Sequence, residues 1–233
     1  MEFNLSTPYD ISSRSYAGDG ERCTMTEVTV TPYDLEFNHD GTKLFVATRN
    51  ATNGPDKDKI FRYDLTTPYD ISTSVSAGDS ARCQLTGVTL GNNFSIYDLA
   101  FSSDGMRFFV VNRHFNNNTA GADEVAGFDL TSPYDISTCT FGSVHDELDT
   151  TALTTGSNAG DFDHTTDNRQ HKVQSVEIND DGTKLFLLFF DNEDSDVGGR
   201  LYEYNLSTPY DVSTLSLVLT CLLYTSPSPR DRG

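Results

Sequence analysis

The chain has no tryptophan, and none of its 4 cysteines lies in a Cys-x-x-Cys pair. The second absence removes the usual zinc-ribbon and thioredoxin-like frames. Basic residues are scarce: 16 Lys and Arg stand against 35 Asp and Glu, a formal charge of −19. Such a surface repels phosphate backbones and anionic lipid, so nucleic acid and membrane are not expected partners. No apolar run approaches the ~20 residues of a membrane-spanning helix. No stretch carries a convincing 3.6-residue hydrophobic period, which argues against helical architectures.

What is present is repetition. Leu-Ser-Thr-Pro-Tyr-Asp-Ile-Ser at 5–12 returns at 65–72, 130–137 and 206–213 with one or two changes each. A second phrase, DLEFNHDGTKLFVATR at 34–49, returns at 98–113 and 175–190. The prolines Pro8, Pro68, Pro133 and Pro209 are 60, 65 and 76 residues apart, and Gly41, Gly105 and Gly182 are 64 and 77 apart. The two series stretch together, so each unit keeps its framework and absorbs insertions elsewhere. A period of this length means stacked copies of one supersecondary unit.

Each unit predicts antiparallel strands. Residues 34–37 and 59–65 alternate apolar and polar side chains, and 43–48 are apolar on both faces, as in a strand covered on two sides. Asp40-Gly41, Asp104-Gly105 and Asp181-Gly182 predict tight hairpins, and Thr-Pro-Tyr-Asp predicts a β-turn. A fourth strand is expected near 72–75, resuming near 82–86. Four antiparallel strands per unit describe a β-propeller blade. A β-solenoid would need coils of only ~20–30 residues without paired hairpins.

The FxxDGTKxFV phrase followed by YDLSTPYDIST resembles propeller-like repeats of environmental bacterial and bacteriophage proteins, and more loosely YVTN-type surface propellers. The resemblance covers most of residues 1–219 and implies a recognition or structural role at a cell surface or virion. It differs from WD40 repeats, which carry Trp. The expected fold class is all-β: a partial propeller of about three four-stranded blades in an open arc. Its divisions are the end of one blade at 1–32, then blades at 33–93, 94–170 (with a long insertion) and 171–220. Glu2-Phe3-Asn4-Leu5 matches Glu203-Tyr204-Asn205-Leu206, so the chain is expected to start within a third strand, as a fragment of a longer product. Residues 221–233 break the pattern and resemble one translated frame of a sequencing-library adapter. They are expected to lie extended without a repeat partner.

Cys23 and Cys83 occupy equivalent positions, each within Ala-Gly-Asp-x-x-Arg-Cys. Equivalent positions in adjacent blades lie beyond the ~7 Å reach of a disulfide, so both read as small buried hydrophobes. Asn192–Asp196 with Glu203 resembles a calcium loop, with Asp194 and Asp196 as metal candidates. Val197 stands where that loop needs glycine and its twelfth position falls in an expected strand, so an ordinary acidic loop is the better fit. The insertion of the third unit holds His145, His164 and His171 with Asp146, Glu147, Asp161 and Asp163, in no recognised metal spacing. Asp34 and Asp98 recur on the innermost strand, and Ser175 replaces them in the third copy. They suit either a ring of acids at a channel mouth or hydrogen bonds to the next blade's backbone.

No catalytic frame stands out, so a non-catalytic binding scaffold without a cofactor is the expected function. The alternative is a lactonase-like or glycan-cleaving hydrolase with a channel-mouth metal. The Asp-Gly and Pro-Tyr-Asp turns belong to one end of each sheet. The variable segments 50–58, 87–95, 112–123, 142–170 and 191–199 belong to the opposite end, where binding residues tend to gather. Phe94, His114, Phe115, Phe162 and His164 are the expected contacts for a protein or glycan ligand, with further blades as structural partners.

Overall fold

The computed structural model describes residues 3–18, 23, 25, 31–49, 59–85, 96–112, 124–145, 171–191 and 200–222. These contain no α-helix. A two-stranded ribbon, β1 (Phe3–Leu5) and β2 (Arg14–Tyr16), comes first. The first full sheet contains β3 (Thr31–Phe37), β4 (Lys43–Arg49), β5 (Lys59–Leu65) and β6 (Ser74–Ser76), and the short β7 (Cys83–Gln84) also pairs with β5. The second sheet is β8 (Ile96–Phe101), β9 (Arg107–Asn112), β10 (Glu124–Asp129) and β11 (Thr140–His145). The third is β12 (His171–Ile178), β13 (Lys184–Asp191), β14 (Arg200–Leu206) and β15 (Leu215–Leu222). Among the described residues each sheet is an antiparallel meander in chain order, β7 apart, and the sheets do not close into a ring.

The doubly apolar second strands explain the stacking. On β4, Phe45 and Ala47 join Leu99, Phe108 and Val110 in a core between the first and second sheets. On β9 the alternate residues Phe109 and Val111 join Val176, Leu185 and Leu187 between the second and third. One strand therefore serves two cores by its period of two, and each fully buried Phe stabilises by about 1.5–3 kcal/mol. A third cluster, Leu44, Val46, Phe61, Tyr63 and Leu65, is covered by Cys23 and Met25. Arg62 adds an ion pair from the first sheet to Asp135 of the second, at 3.2 Å.

Strand alternation predicts a core of Leu35, Phe37, Leu44, Val46, Phe61 and Tyr63 with Leu99, Phe101, Phe108, Val110, Phe186 and Leu188. Leu44, Val46, Phe61, Tyr63, Leu99, Phe108 and Val110 are buried, but Phe37 and Phe101 are only half-buried against their clusters. Phe186 and Leu188 are half-buried outside the core, where Leu185 and Leu187 of the alternate face stand instead. Leu35 is 60 % exposed, whereas Leu99 and Val176 at the matching positions are 3 % and 1 % exposed. Leu99 and Val176 face a preceding sheet, and Leu35 belongs to the first full sheet of the stack.

The two repeated phrases prove to be one device. The tyrosine of each Pro-Tyr-Asp lies in the left-handed region, with φ of 64° at Tyr9, 60° at Tyr69, 57° at Tyr134 and 63° at Tyr210. That conformation costs a bulky residue about 1–3 kcal/mol. In three repeats the cost is offset by contact with the preceding Asp-Gly turn. The amides of Tyr69, Tyr134 and Tyr210 donate to the carbonyls of Gly41, Gly105 and Gly182 at 2.9, 2.8 and 2.9 Å. Each ring lies flat enough on its glycine that an added Cβ would come within 2.3–2.5 Å of it. Tyr69 also donates its hydroxyl to the His39 carbonyl at 2.8 Å.

Both turns are held from within. Asp40 Oδ1 accepts from the Thr42 amide at 3.0 Å and from Asn38 Nδ2 at 2.8 Å, while Asn38 Oδ1 accepts from the Lys43 amide at 2.8 Å. The hairpin is wider than a two-residue turn: Asn38 and Lys43 close it, and only Gly41 within it has positive φ. This is a longer loop ending in a left-handed glycine, one of the other common hairpin solutions. After each tyrosine the aspartate caps a short 3-10 turn, as when Asp70 accepts from the Ser72 amide at 3.0 Å. That turn moves the start of the fourth strand to Ser74.

At the other end, β15 runs two residues into the segment expected to lack a partner. Cys221 and Leu222 continue the ladder opposite Leu201 and Arg200. The run Leu215–Leu222 is rich in apolar and β-branched residues, and the edge of β14 offers it backbone partners. Residues 223–233 lie outside the described residues.

Candidate functional site

The inner strands β3, β8 and β12 are neighbours, and an acidic seam runs along them. Its geometry begins with a bulge. In each inner strand the register with the second strand slips by one residue, at Pro32/Asp34, Ile96/Asp98 and Val173/Ser175. A bulge bends its strand and re-aims the side chain that follows. The carboxylate is thereby turned onto the next sheet. Asp34 Oδ2 accepts from the Leu99 amide at 3.0 Å, and Asp98 Oδ2 accepts from the Val176 amide at 2.7 Å. Of the two roles the sequence left open, the backbone hydrogen bond is the one observed. The bulge residues Tyr33 and Tyr97 meet edge to face, with ring centroids 4.9 Å apart.

Crowding of these acids raises their proton affinity. Burial first, and then the Asp98 charge, push the Asp34 carboxyl up to about 6. Burial, followed by Asp34, Glu177 and Asp98, pushes Glu36 up to about 7. Glu177 is raised by burial and by Asp98. For an acid raised in this way the folded chain binds the proton more tightly than the unfolded chain does. Stability is therefore greatest with the group protonated and falls as pH climbs from about 4 through 6 to 7. The capping acids act oppositely. Asp135 is lowered chiefly by the Ser137 hydroxyl, so its contribution is present above about 4 and lost in stronger acid.

The expected outcome is a stability maximum near pH 4–5 and a melting temperature that declines from there to pH 8. Glu36→Gln should flatten the decline, recovering on the order of 1 kcal/mol at pH 8, since Glu36 is only half-buried and solvent screens it. Thermal melts across pH check this, and an unchanged slope in the variant contradicts it.

A second contact between sheets was missed by sequence reasoning. Cys83 and Cys139 form a disulfide, with Cα atoms 5.9 Å apart. Cys83 is fully buried as expected, but as half of a bridge from β7 of the first sheet to the turn before β11 of the second. The equivalent Cys23 is free and half-buried. The bridge joins unlike positions of adjacent repeats, so comparing Cys23 with its equivalent Cys83 could not reveal it. The signal available was Cys139 itself, one residue beyond the Ile-Ser-Thr of its repeat, where the first sheet has Ser74.

The expected ligand contacts Phe94, His114, Phe115, Phe162 and His164 all lie outside the described residues, as do the metal candidates Asp194 and Asp196. Among the described residues no group of three or more His, Cys, Asp or Glu side chains is disposed to hold a metal ion. The described parts of the fold place the Asp-Gly and Pro-Tyr-Asp turns together at one end of each sheet. Comparison with protein-family models and with curated proteins finds no match for this chain.

Proposed function

We propose that the chain is a non-catalytic scaffold of the β-propeller type, whose three full sheets serve as blades. It binds a protein or glycan through the variable segments at the ends opposite the Asp-Gly turns. One observation carries this reading. In all three complete repeats the tyrosine-on-glycine contact consumes one end of the sheet, so the freedom to vary is left to the other end. The inner acids support a binding role over a hydrolytic one, because Asp34 and Asp98 are engaged by the backbone of the next sheet.

The Cys83–Cys139 bridge supports an oxidising location such as a cell surface or virion exterior. The charge of −19 favours partners other than nucleic acid or anionic membrane. Further blades of the same type are the structural partners of this scaffold, and no cofactor is required for its role.

A panel of immobilised oligosaccharides, probed with the intact chain, tests the proposal. Replacing 112–123 by a short Gly/Ser link should abolish capture of any glycan bound by the parent chain, with the β-sheet circular dichroism retained. Capture that survives this exchange but fails when the Pro-Tyr-Asp turns are altered would place binding at the wrong end. Turnover of chromogenic lactones or glycosides would favour the hydrolase instead.

A further inference from the structure

We infer that the β1–β2 ribbon, with Tyr9 at its turn, is a docking surface for a β-hairpin bearing an Asp-Gly-Thr turn, the chemistry of residues 31–49 presented by another repeat of this kind. The occupant is specified by an interface built three times within the chain. In the full sheets the third strand lies between a second and a fourth: β5 pairs with β4 on one edge and β6 on the other, and β14 with β13 and β15. By sequence, Phe3-Asn4-Leu5 of β1 matches Tyr63-Asp64-Leu65 and Tyr204-Asn205-Leu206. Among the described residues β1 pairs only with β2, and all six residues of the ribbon are exposed.

Tyr9 shows what the open edge is shaped for. It holds φ of 64°, the conformation of the three tyrosines that lie on a glycine, yet it is 98 % exposed. The turn is kept by its own bonds: Asp10 donates its amide to the Thr7 carbonyl at 3.1 Å, and Asp10 Oδ1 accepts from the Ser12 amide at 2.9 Å. The receptor is therefore formed before its partner arrives, which lowers the ordering cost of docking. An incoming hairpin in the register of β4 on β5 sets its leucine opposite Phe3 and its lysine opposite Asn4. Its glycine carbonyl then receives the Tyr9 amide, as Gly41 receives that of Tyr69. Only glycine fits there, because a Cβ would enter the ring.

A third observation agrees. Leu35 is open where its counterparts Leu99 and Val176 are covered by the sheet before them. In the first core it is Phe45 and Ala47 of a DGT hairpin that meet Leu99, so the same hairpin supplies the cover that Leu35 lacks. The inference rests on repeat equivalence and deepens the view that further blades are partners. It does not depend on ligand binding at the variable segments.

The probe is a fluorescent synthetic peptide of residues 31–49, titrated into the intact chain and followed by anisotropy and by amide exchange. Saturable binding with protection of residues 3–5 is expected. Gly41→Val in the peptide, or Tyr9→Ala in the chain, should each weaken it by at least about tenfold. A second arrangement joins the same hairpin ahead of Met1 through a Gly/Ser linker, raising its effective concentration to roughly the millimolar range. The joined chain should melt several degrees above its Gly41→Val version. Absence of saturable binding in the first arrangement together with equal melting in the second overturns the inference, as does binding indifferent to Gly41→Val. Exchange of 112–123 leaves both readouts unchanged, which separates this result from failure of the recognition proposal.

Discussion

Reduction of the Cys83–Cys139 disulfide, or replacement of both cysteines by serine, should lower the melting temperature by about 5–15 °C. The bridge spans 56 residues of sequence, and closing a loop of that length restricts the unfolded chain by up to about 4 kcal/mol. Denatured-state structure trims this towards about 2–4 kcal/mol, and a chain of this size shifts by about 2–4 °C for each kcal/mol. The bridge also joins two sheets that otherwise meet through side chains, the Arg62–Asp135 ion pair and the Asp34 hydrogen bond. Losing it should let the first sheet part from the second before the second parts from the third. Cys23→Ser is the control and should melt like the parent. Ser74 stands in the first sheet where Cys139 stands in the second, so Ser74→Cys should capture Cys23 in a second bridge and raise the melting temperature. Equal melting of the oxidised and reduced parent would show that the bridge carries none of the stability.

Gly105→Ala should be the most damaging single-methyl change in the second sheet, costing about 3 kcal/mol or more. Alanine at φ of 67° costs about 1–2 kcal/mol by itself. Its Cβ would also lie 2.3 Å from the Tyr134 ring, so the ring must leave Phe45 and Phe101, against which it packs. Glycines that touch nothing give the contrast. Gly78 has φ of 81° and ψ of 178°, a region essentially confined to glycine, and a methyl added there would meet no atom within 4 Å, so Gly78→Ala loses stability through the backbone alone. Urea unfolding checks the Gly105 value: a loss of no more than the backbone part, about 1–2 kcal/mol, would mean that the ring contact contributes nothing.

Much of this architecture was legible in the residues. The alternation on 59–65 and the doubly apolar 43–48 located β5 and β4 within a residue or so, because alternation marks a strand with one buried face and a continuous apolar run marks one covered on both. The Asp34 hydrogen bond to the next sheet was legible too, as one of two roles for a recurring inner acid. Three features were hidden for identifiable reasons. Positive φ is read from glycine and asparagine, so a tyrosine that adopts it within a turn held by the aspartate that follows leaves no local mark. The bulges at Tyr33 and Tyr97 shift register without changing the hydrophobic pattern around them. The Cys83–Cys139 pair joins positions that are not equivalent, whereas repeat alignment compares only equivalents. Leu35 failed differently: its residue type and strand position are those of a core leucine, and its exposure follows from which sheet it stands on.

The central claim is that the two repeated phrases form one contact, tyrosine on glycine, that builds each unit. A double-mutant cycle on Gly105 and Tyr134 measures it directly. If the ring is what the new methyl strikes, Gly105→Ala should cost markedly less in a Tyr134→Ala background, with a coupling of about 1–3 kcal/mol. Losses that simply add, within about 0.5 kcal/mol, would mean that the phrases recur side by side without acting on each other.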